Sequence, residues 1–237
     1  MPTIRTLELD HLGRHLVGHV AVPDGAGPFP VVLVMSNALG LSKQARGSAL
    51  ALAEKGWLAV ATDMYGDGFE DQTGTQSGEF YAELMGDRPK LRARCNAWRD
   101  AAAALPEADP GRVAAIGYCF GGACVLELAR SGADVRAVVS YHGILETPLP
   151  ARPGAIRGEV AVYAGARDPY APPAQTEAFV REMQAAGARH SVMVFGEAAH
   201  SFTDPDHAQG HPGIEYNALA HKVSWAGTLA LLELVFA

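Results

Sequence analysis

The chain has 237 residues, 49% of them hydrophobic and 19% charged, with a formal net charge of −7. That length and composition supply a sizeable core and exclude a largely disordered chain, while the acidic balance excludes the basic footprint a nucleic-acid partner needs. No basic segment followed by an apolar run opens the sequence, the stretches VVLVM and LALLELVFA are too short to cross a bilayer, and three cysteines are no disulfide framework; a cytoplasmic protein without membrane partners is expected.

Residues 3–9 and 15–23 alternate apolar and polar around Gly13, which predicts a hairpin of two strands with one exposed face. The β-branched run at 29–36 predicts a strand buried on both sides. Helical spacing over 42–55 stops at Gly56, and WLAVATDMY predicts a second buried strand. A polar stretch, GDGFEDQTGTQSG, reads as a surface loop, and the segment from Glu79 to Leu105 reads as helix interrupted near Gly86–Pro89. Strands are expected at 112–118, 135–141, 159–165 and 189–195, with helices over 120–130 and near 173–186 and 213–236. Strand and helix alternate from residue 29 onward. The expected fold is therefore a single α/β domain spanning 1–237, with a mostly parallel twisted sheet, an antiparallel start and helices on both faces.

The strand 112–118 runs into GYCFGG. A cysteine is more often core packing than chemistry. Here, however, Cys119 sits at the carboxyl end of a strand, where chemistry collects in such sheets. Gly117 and Gly121 flank it at two residues and Gly122 follows. A nucleophile on a sharp strand-to-helix turn needs small residues at those offsets, because a side chain there would strike the neighbouring strand or helix. The helix beginning at Phe120 favours a thiolate through its free N–H groups, and the Phe120 amide points to where an oxyanion would form. Cys95 and Cys124 fall on helical segments and are expected to pack.

A nucleophile of this kind needs a base and an acid further along the chain. Asp168 lies at the end of the strand EVAVYAGA, in a loop stiffened by Pro169 and Pro172; His200 lies just past the end of HSVMVFG. Each is an ordinary loop residue alone, but together they follow in the required order, each at its own strand end. Asp63, at the end of the strand 57–63, is a lesser candidate because it precedes the corner.

GYCFGG, GARDPYAP and AAHSF together resemble the dienelactone hydrolase family, cysteine-dependent members of the α/β hydrolases, and the element order agrees over nearly the whole chain. The resemblance implies an α/β-hydrolase fold and hydrolysis of carboxylic esters or lactones, with Cys119 as nucleophile, Asp168 as acid and His200 as base. It also implies that Ala38, in SNALGLS, supplies the second oxyanion amide and that Tyr81, Asn37 and Asp204 lie at family pocket positions; Leu39 and Ser201, beside these motifs, and His142, at the end of the strand RAVVSYHG, are further candidates for the pocket. No metal or organic cofactor is implied. In the family the position of Asn37 carries a glutamate that gates ionisation of the cysteine, and the position of Asp204 carries an arginine that binds the substrate carboxylate. An acid at 204 repels an anionic lactone, so a neutral ester or lactone is expected in preference to the dienelactone itself.

Two other readings compete: a true carboxymethylenebutenolidase of aromatic breakdown, and a non-catalytic ligand-binding or thiol redox-sensing protein on a hydrolase fold. His207 and His211 stand at i,i+4 spacing with Asp204 and Asp206 nearby, but Pro205, Gly210 and Pro212 make that stretch a loop, so no metal site is expected. The sequence leaves the oligomeric state open; a monomer suffices for the site.

Overall fold

In the computed structural model, which describes residues 1–71, 75–206 and 212–237, the alternating N-terminal stretches pair as an antiparallel hairpin, β1 (Thr3–His11) and β2 (Arg14–Val22). Leu12 and Gly13 turn the corner with φ of 51° and 73°, the left-handed backbone a two-residue hairpin demands. The β-branched runs form β3 (Phe29–Met35) and β4 (Leu58–Thr62), buried throughout from Val31 to Met35 and from Leu58 to Thr62. Burial on both faces is why these strands lack polar alternation.

Four more strands complete the sheet: β5 (Ala108–Tyr118), β6 (Ala137–Tyr141), β7 (Glu159–Gly165) and β8 (His190–Phe195). The spatial order is β1-β2-β4-β3-β5-β6-β7-β8, with β2 antiparallel to β4 and every pair from β4 to β8 parallel. Side chains of α1 (Lys43–Ala53) and α6 (Ala218–Phe236) pack on one face; those of α2 (Thr75–Gly86), α3 (Arg88–Ala103), α4 (Phe120–Arg130) and α5 (Pro173–Ala186) pack on the other. Ser42 caps α1 and Asp87 caps α3, each accepting a backbone N–H of the first turn.

The structure departs from the sequence reading in a few places. β5 begins at Ala108, earlier than the apolar run suggests, and α2 begins at Thr75, inside the stretch read as loop. No helix lies between β6 and β7; Pro148, Pro150 and Pro153 sit in that connection and suit an irregular path. α6 starts at Ala218 because residues 213–217 are not helical: Gly213 turns with φ 80°, and the stretch is tied to the chain at 200–202 by backbone bonds. Its 19 residues are long and apolar enough to span a bilayer by length and composition, beyond what LALLELVFA implied. In this fold Ala220, Ser224, Thr228, Leu232 and Phe236 of α6 are buried.

After β3 the chain builds β4 on one side and then returns to build β5 on the other. At such a reversal the loops leaving the two strands diverge and open a crevice at the carboxyl edge. The strands concerned end at Met35 and Tyr118, so the loops beginning at Ser36 and Cys119 face one another there.

Candidate active site

β5 carries Cys119 to the crevice and α4 begins one residue later. Cys119 adopts φ 54° and ψ −113°, a conformation L-residues rarely take and one that persists only when its surroundings impose it. The glycines show what imposes it. A Cβ on Gly117 would stand 2.0 Å from the carbonyl oxygen of Gly121, and one on Gly121 would stand 2.0 Å from that of Met35. Gly122 lies against Gly143 and the Ser140 hydroxyl, where a Cβ would come within 2.7 Å. Backbone thus packs on backbone around the corner, and the thiol is the group left to project.

Asp168 and His200 reach the same place. The His200 Nε2 lies 3.1 Å from Cys119 Sγ, and its Nδ1 lies 2.8 Å from Asp168 Oδ2. Asp168 is buried, and its other oxygen accepts the amides of Tyr170 at 2.8 Å and Ala171 at 3.1 Å, which fixes the carboxylate. The His200 backbone is clamped on both sides: its N–H donates to Gly213 and its carbonyl accepts from Glu215. Only the cysteine is partly exposed among the three.

Charges settle on this geometry in a definite way. Burial alone would raise the Cys119 pKa; the adjacent imidazolium of His200, its hydrogen bond, and the backbone amides of Phe120 and Ala38 outweigh that and bring it below the ordinary thiol value. Burial alone would lower His200, but the Cys119 charge and the bond to Asp168 raise it to about 10. Both directions favour a thiolate–imidazolium pair at neutral pH.

The residues singled out from sequence do not all share this cleft. Ala38 and Phe120 do direct their amides at the sulfur. Asn37 Oδ1 accepts the Leu39 N–H at 3.0 Å, so that oxygen holds its own loop together. Tyr81 packs edge-on against Phe120 with ring centres 5.5 Å apart, and burial with the nearby Cys119 charge raises its hydroxyl pKa. Two of the expected pocket residues are packing instead. His142 is buried, bonded through Nε2 to the Thr203 hydroxyl at 2.8 Å, with its ring edge-on to His200 at 5.2 Å; it supports the His200 ring. Ser201 is 1% exposed with φ 54°, a strained link directly after His200 that leaves its side chain no opening.

Asp204 lines a cavity of about 710 Å³ together with Asn37, Leu39, Lys43, Tyr118 and His221. Cys119 and His200 are not among its lining residues; Asn37 and Leu39, on either side of the Ala38 amide that faces the sulfur, are. Asp63 accepts backbone amides from Val17, Tyr65, Gly66 and Gly68, and so is a structural knot at the end of β4. Cys95 and Cys124 are fully buried, as expected of packing. Arg94 is buried with its guanidinium on the Met64 carbonyl, and Arg92 pairs with buried Glu127. Among the described residues no group of three metal-ligating side chains comes together; His207 and His211 lie outside them.

Two contributors were missed in the sequence. Tyr65 donates its hydroxyl to the Ala38 carbonyl at 3.1 Å and stacks on Phe120, bracing both amides that face the sulfur. Tyr170, half exposed, lies over His200 with ring centres 4.9 Å apart. Tyr170 was within sight, two residues past Asp168 in the same Pro-rich loop; nothing local marks Tyr65.

Comparison with known proteins agrees with this architecture. The model of the dienelactone hydrolase family matches residues 16–236. The solved structure of m3DLH is 37% identical and superposes with a TM-score of 0.94, covering 100% of this chain and 99% of its own. The dienelactone hydrolase-like promiscuous phosphotriesterase P91, from metagenomic libraries, is 36% identical with a TM-score of 0.92 over 99% of this chain and 98% of its own. A putative carboxymethylenebutenolidase of a Synechocystis strain is 26% identical over 92% of this chain and 91% of its own.

Proposed function

The chain belongs to the dienelactone hydrolase family of α/β hydrolases, and from that membership we propose that it cleaves carboxylic esters or lactones through Cys119, His200 and Asp168. One observation carries the reading: an unbroken contact from Sγ through the imidazole to a buried carboxylate, 3.1 Å and 2.8 Å long.

In the proposed reaction the thiolate attacks the carbonyl carbon and the displaced electron pair resides on oxygen, facing the amides of Ala38 and Phe120. Loss of one such donor costs roughly 10²–10³ in rate in other hydrolases. Collapse of this intermediate expels the alcohol, which takes its proton from His200, and leaves a thioester on Cys119. His200, neutral at that stage and held by Asp168, then takes a proton from water; the hydroxide attacks the thioester, and carboxylic acid and thiolate are released. No step calls for a cofactor.

The substrate is proposed to be uncharged. Asp204 stands where the family carries a carboxylate-binding arginine, and Asp204, Asp206, Glu70 and Asp71 border the cavity of about 710 Å³, with Lys43 held on Asp206 and Arg46 on Glu70, so an anionic lactone gains no arginine partner there. This disfavours the dienelactone itself. Because P91 is a phosphotriesterase with 36% identity, uncharged phosphotriesters belong in the substrate panel beside short aryl esters and lactones. A redox-sensing role for Cys119 has less support, since a sensor has no use for a clamped base and a fixed acid.

The test is turnover of short activated esters by Cys119→Ala, Cys119→Ser and His200→Ala proteins, alongside iodoacetamide-treated wild type. Rates in Cys119→Ala are expected to fall at least about 10³-fold; full activity there would end the proposal.

A further inference from the structure

α6 is amphipathic in a way that the sheet does not use up. Ala220, Ser224, Thr228, Leu232 and Phe236 are buried, while the opposite side exposes Leu219 (70%), Val223 (41%) and Leu234 (73%). At 100° per residue these three fall in one stripe with exposed Ala226 and Ala230 between them. The stripe is therefore bulky at both ends and small in the middle. Such a contiguous apolar face on a soluble surface marks an interaction site.

The charges beside the stripe identify its occupant. Lys222 and Glu233 are exposed and lie on the same flank, close to opposite ends of the helix. Neither takes part in an ion pair among the described residues. When two copies of one helix pack antiparallel about a two-fold axis, each flank faces the same flank of its partner, read in the reverse direction. Placing Leu219 opposite Leu234 of a second copy sets Val223 opposite Ala230 and brings the two Ala226 side chains together beside the axis, where their small size lets the backbones approach, while Gly227 faces Tyr163 of its own chain. The same register brings Lys222 within reach of Glu233 of the second copy, twice. A parallel pair would set unlike flanks together and leave both charges alone. An acidic lipid surface is a poor occupant for a chain of net charge −7.

We propose that the outer face of α6 is the contact surface of an antiparallel, two-fold homodimer. The surface is also tied to the base loop: α6 is preceded by residues 213–217, whose backbone bonds hold His200 and Phe202. The proposal does not depend on the hydrolase chemistry, because its readout is mass.

Light scattering and sedimentation velocity on the full chain should give twice 24.9 kDa at micromolar concentration. Leu219→Asp with Leu234→Asp should halve the mass while leaving the far-ultraviolet circular dichroism unchanged, since both side chains are exposed. Lys222→Glu should weaken the dimer about tenfold, and Lys222→Glu combined with Glu233→Lys should restore it. A wild-type protein that stays at 24.9 kDa up to roughly 100 µM, the concentration that matches about 5.5 kcal/mol of association, overturns the proposal. So does a dimer that survives the double aspartate change, or one whose charge reversal is not rescued by the exchange.

Discussion

Between Gly117 and Gly122, Cys119 is held by its immediate neighbours in the chain and by the adjacent end of β3: the clashes that forbid any side chain at 117 and 121 come from Gly121 and Met35. The loop carrying His200 is held from far away. Thr203 accepts from Gln44, 159 residues distant, and meets His142, 61 residues distant, while His200 itself meets Asp168 and Cys119 at separations of 32 and 81. The first region is stiff because backbone packs on backbone, which cannot give. The second is assembled from side-chain bonds, each worth about 1 kcal/mol net, and so is expected to fail in increments.

That contrast is sharpest at Gly121. Gly121→Ala places a methyl 2.0 Å from a backbone oxygen, so β3 or α4 must move; a loss of about 3 kcal/mol or more is expected, together with ester hydrolysis, measured by thermal unfolding and initial rates. A near-wild-type melting temperature would show that the corner bends after all.

Asp168→Asn addresses the distant arm. The carboxylate supports the imidazolium, so its loss should lower the His200 pKa from about 10 and let that of Cys119 rise. The direction follows from linkage: a thiol whose pKa is lowered in the fold keeps its charge until pH falls through that lowered value, and with a weaker imidazolium the proton returns at higher pH. The thiolate absorbance near 240 nm should therefore disappear at higher pH in the variant, and the rate at neutral pH should drop by roughly 10²–10⁴. An unmoved titration would detach Asp168 from the pair.

The smallest effect belongs to Thr203→Val, which keeps shape but removes the hydroxyl bonded to both Gln44 and His142. About 1–2 kcal/mol of stability is expected to go, with a modest loss of rate and no change in the pH at which the thiolate forms. If the rate fell as far as in Asp168→Asn, the loop would be as brittle as the corner and the comparison would collapse.

The corner was legible because its mark, three glycines around a cysteine within six consecutive residues, has few other causes, although the backbone that Gly121 must clear belongs to Met35. The strand-end positions of Asp168 and His200 were legible from the order of buried runs. Their approach to within bonding distance was not, since it depends on how far successive strands are staggered. His142 and Ser201 were misplaced for a related reason. Lying at a strand end or beside the base says that a residue is near the crevice, but not which way its side chain turns, and Phe202 and Thr203 turn His142 inward. The start of α6 was set too early because the non-helical segment 213–217 is stabilised by bonds to residues 200–202, which no local pattern announces.

Apolar periodicity by itself determined the eight strands and most helix limits, and the glycine spacing determined the strained turn at Cys119, because the former follow from burial and the latter from steric conflict. Only tertiary structure decided which polar groups meet. It aimed the amides of Ala38 and Phe120 at one sulfur, spent Asp63 on four backbone donors, and left one side of α6 bare. Such outcomes depend on packing between elements distant in sequence, and the free energy that selects them is shared across the whole sheet.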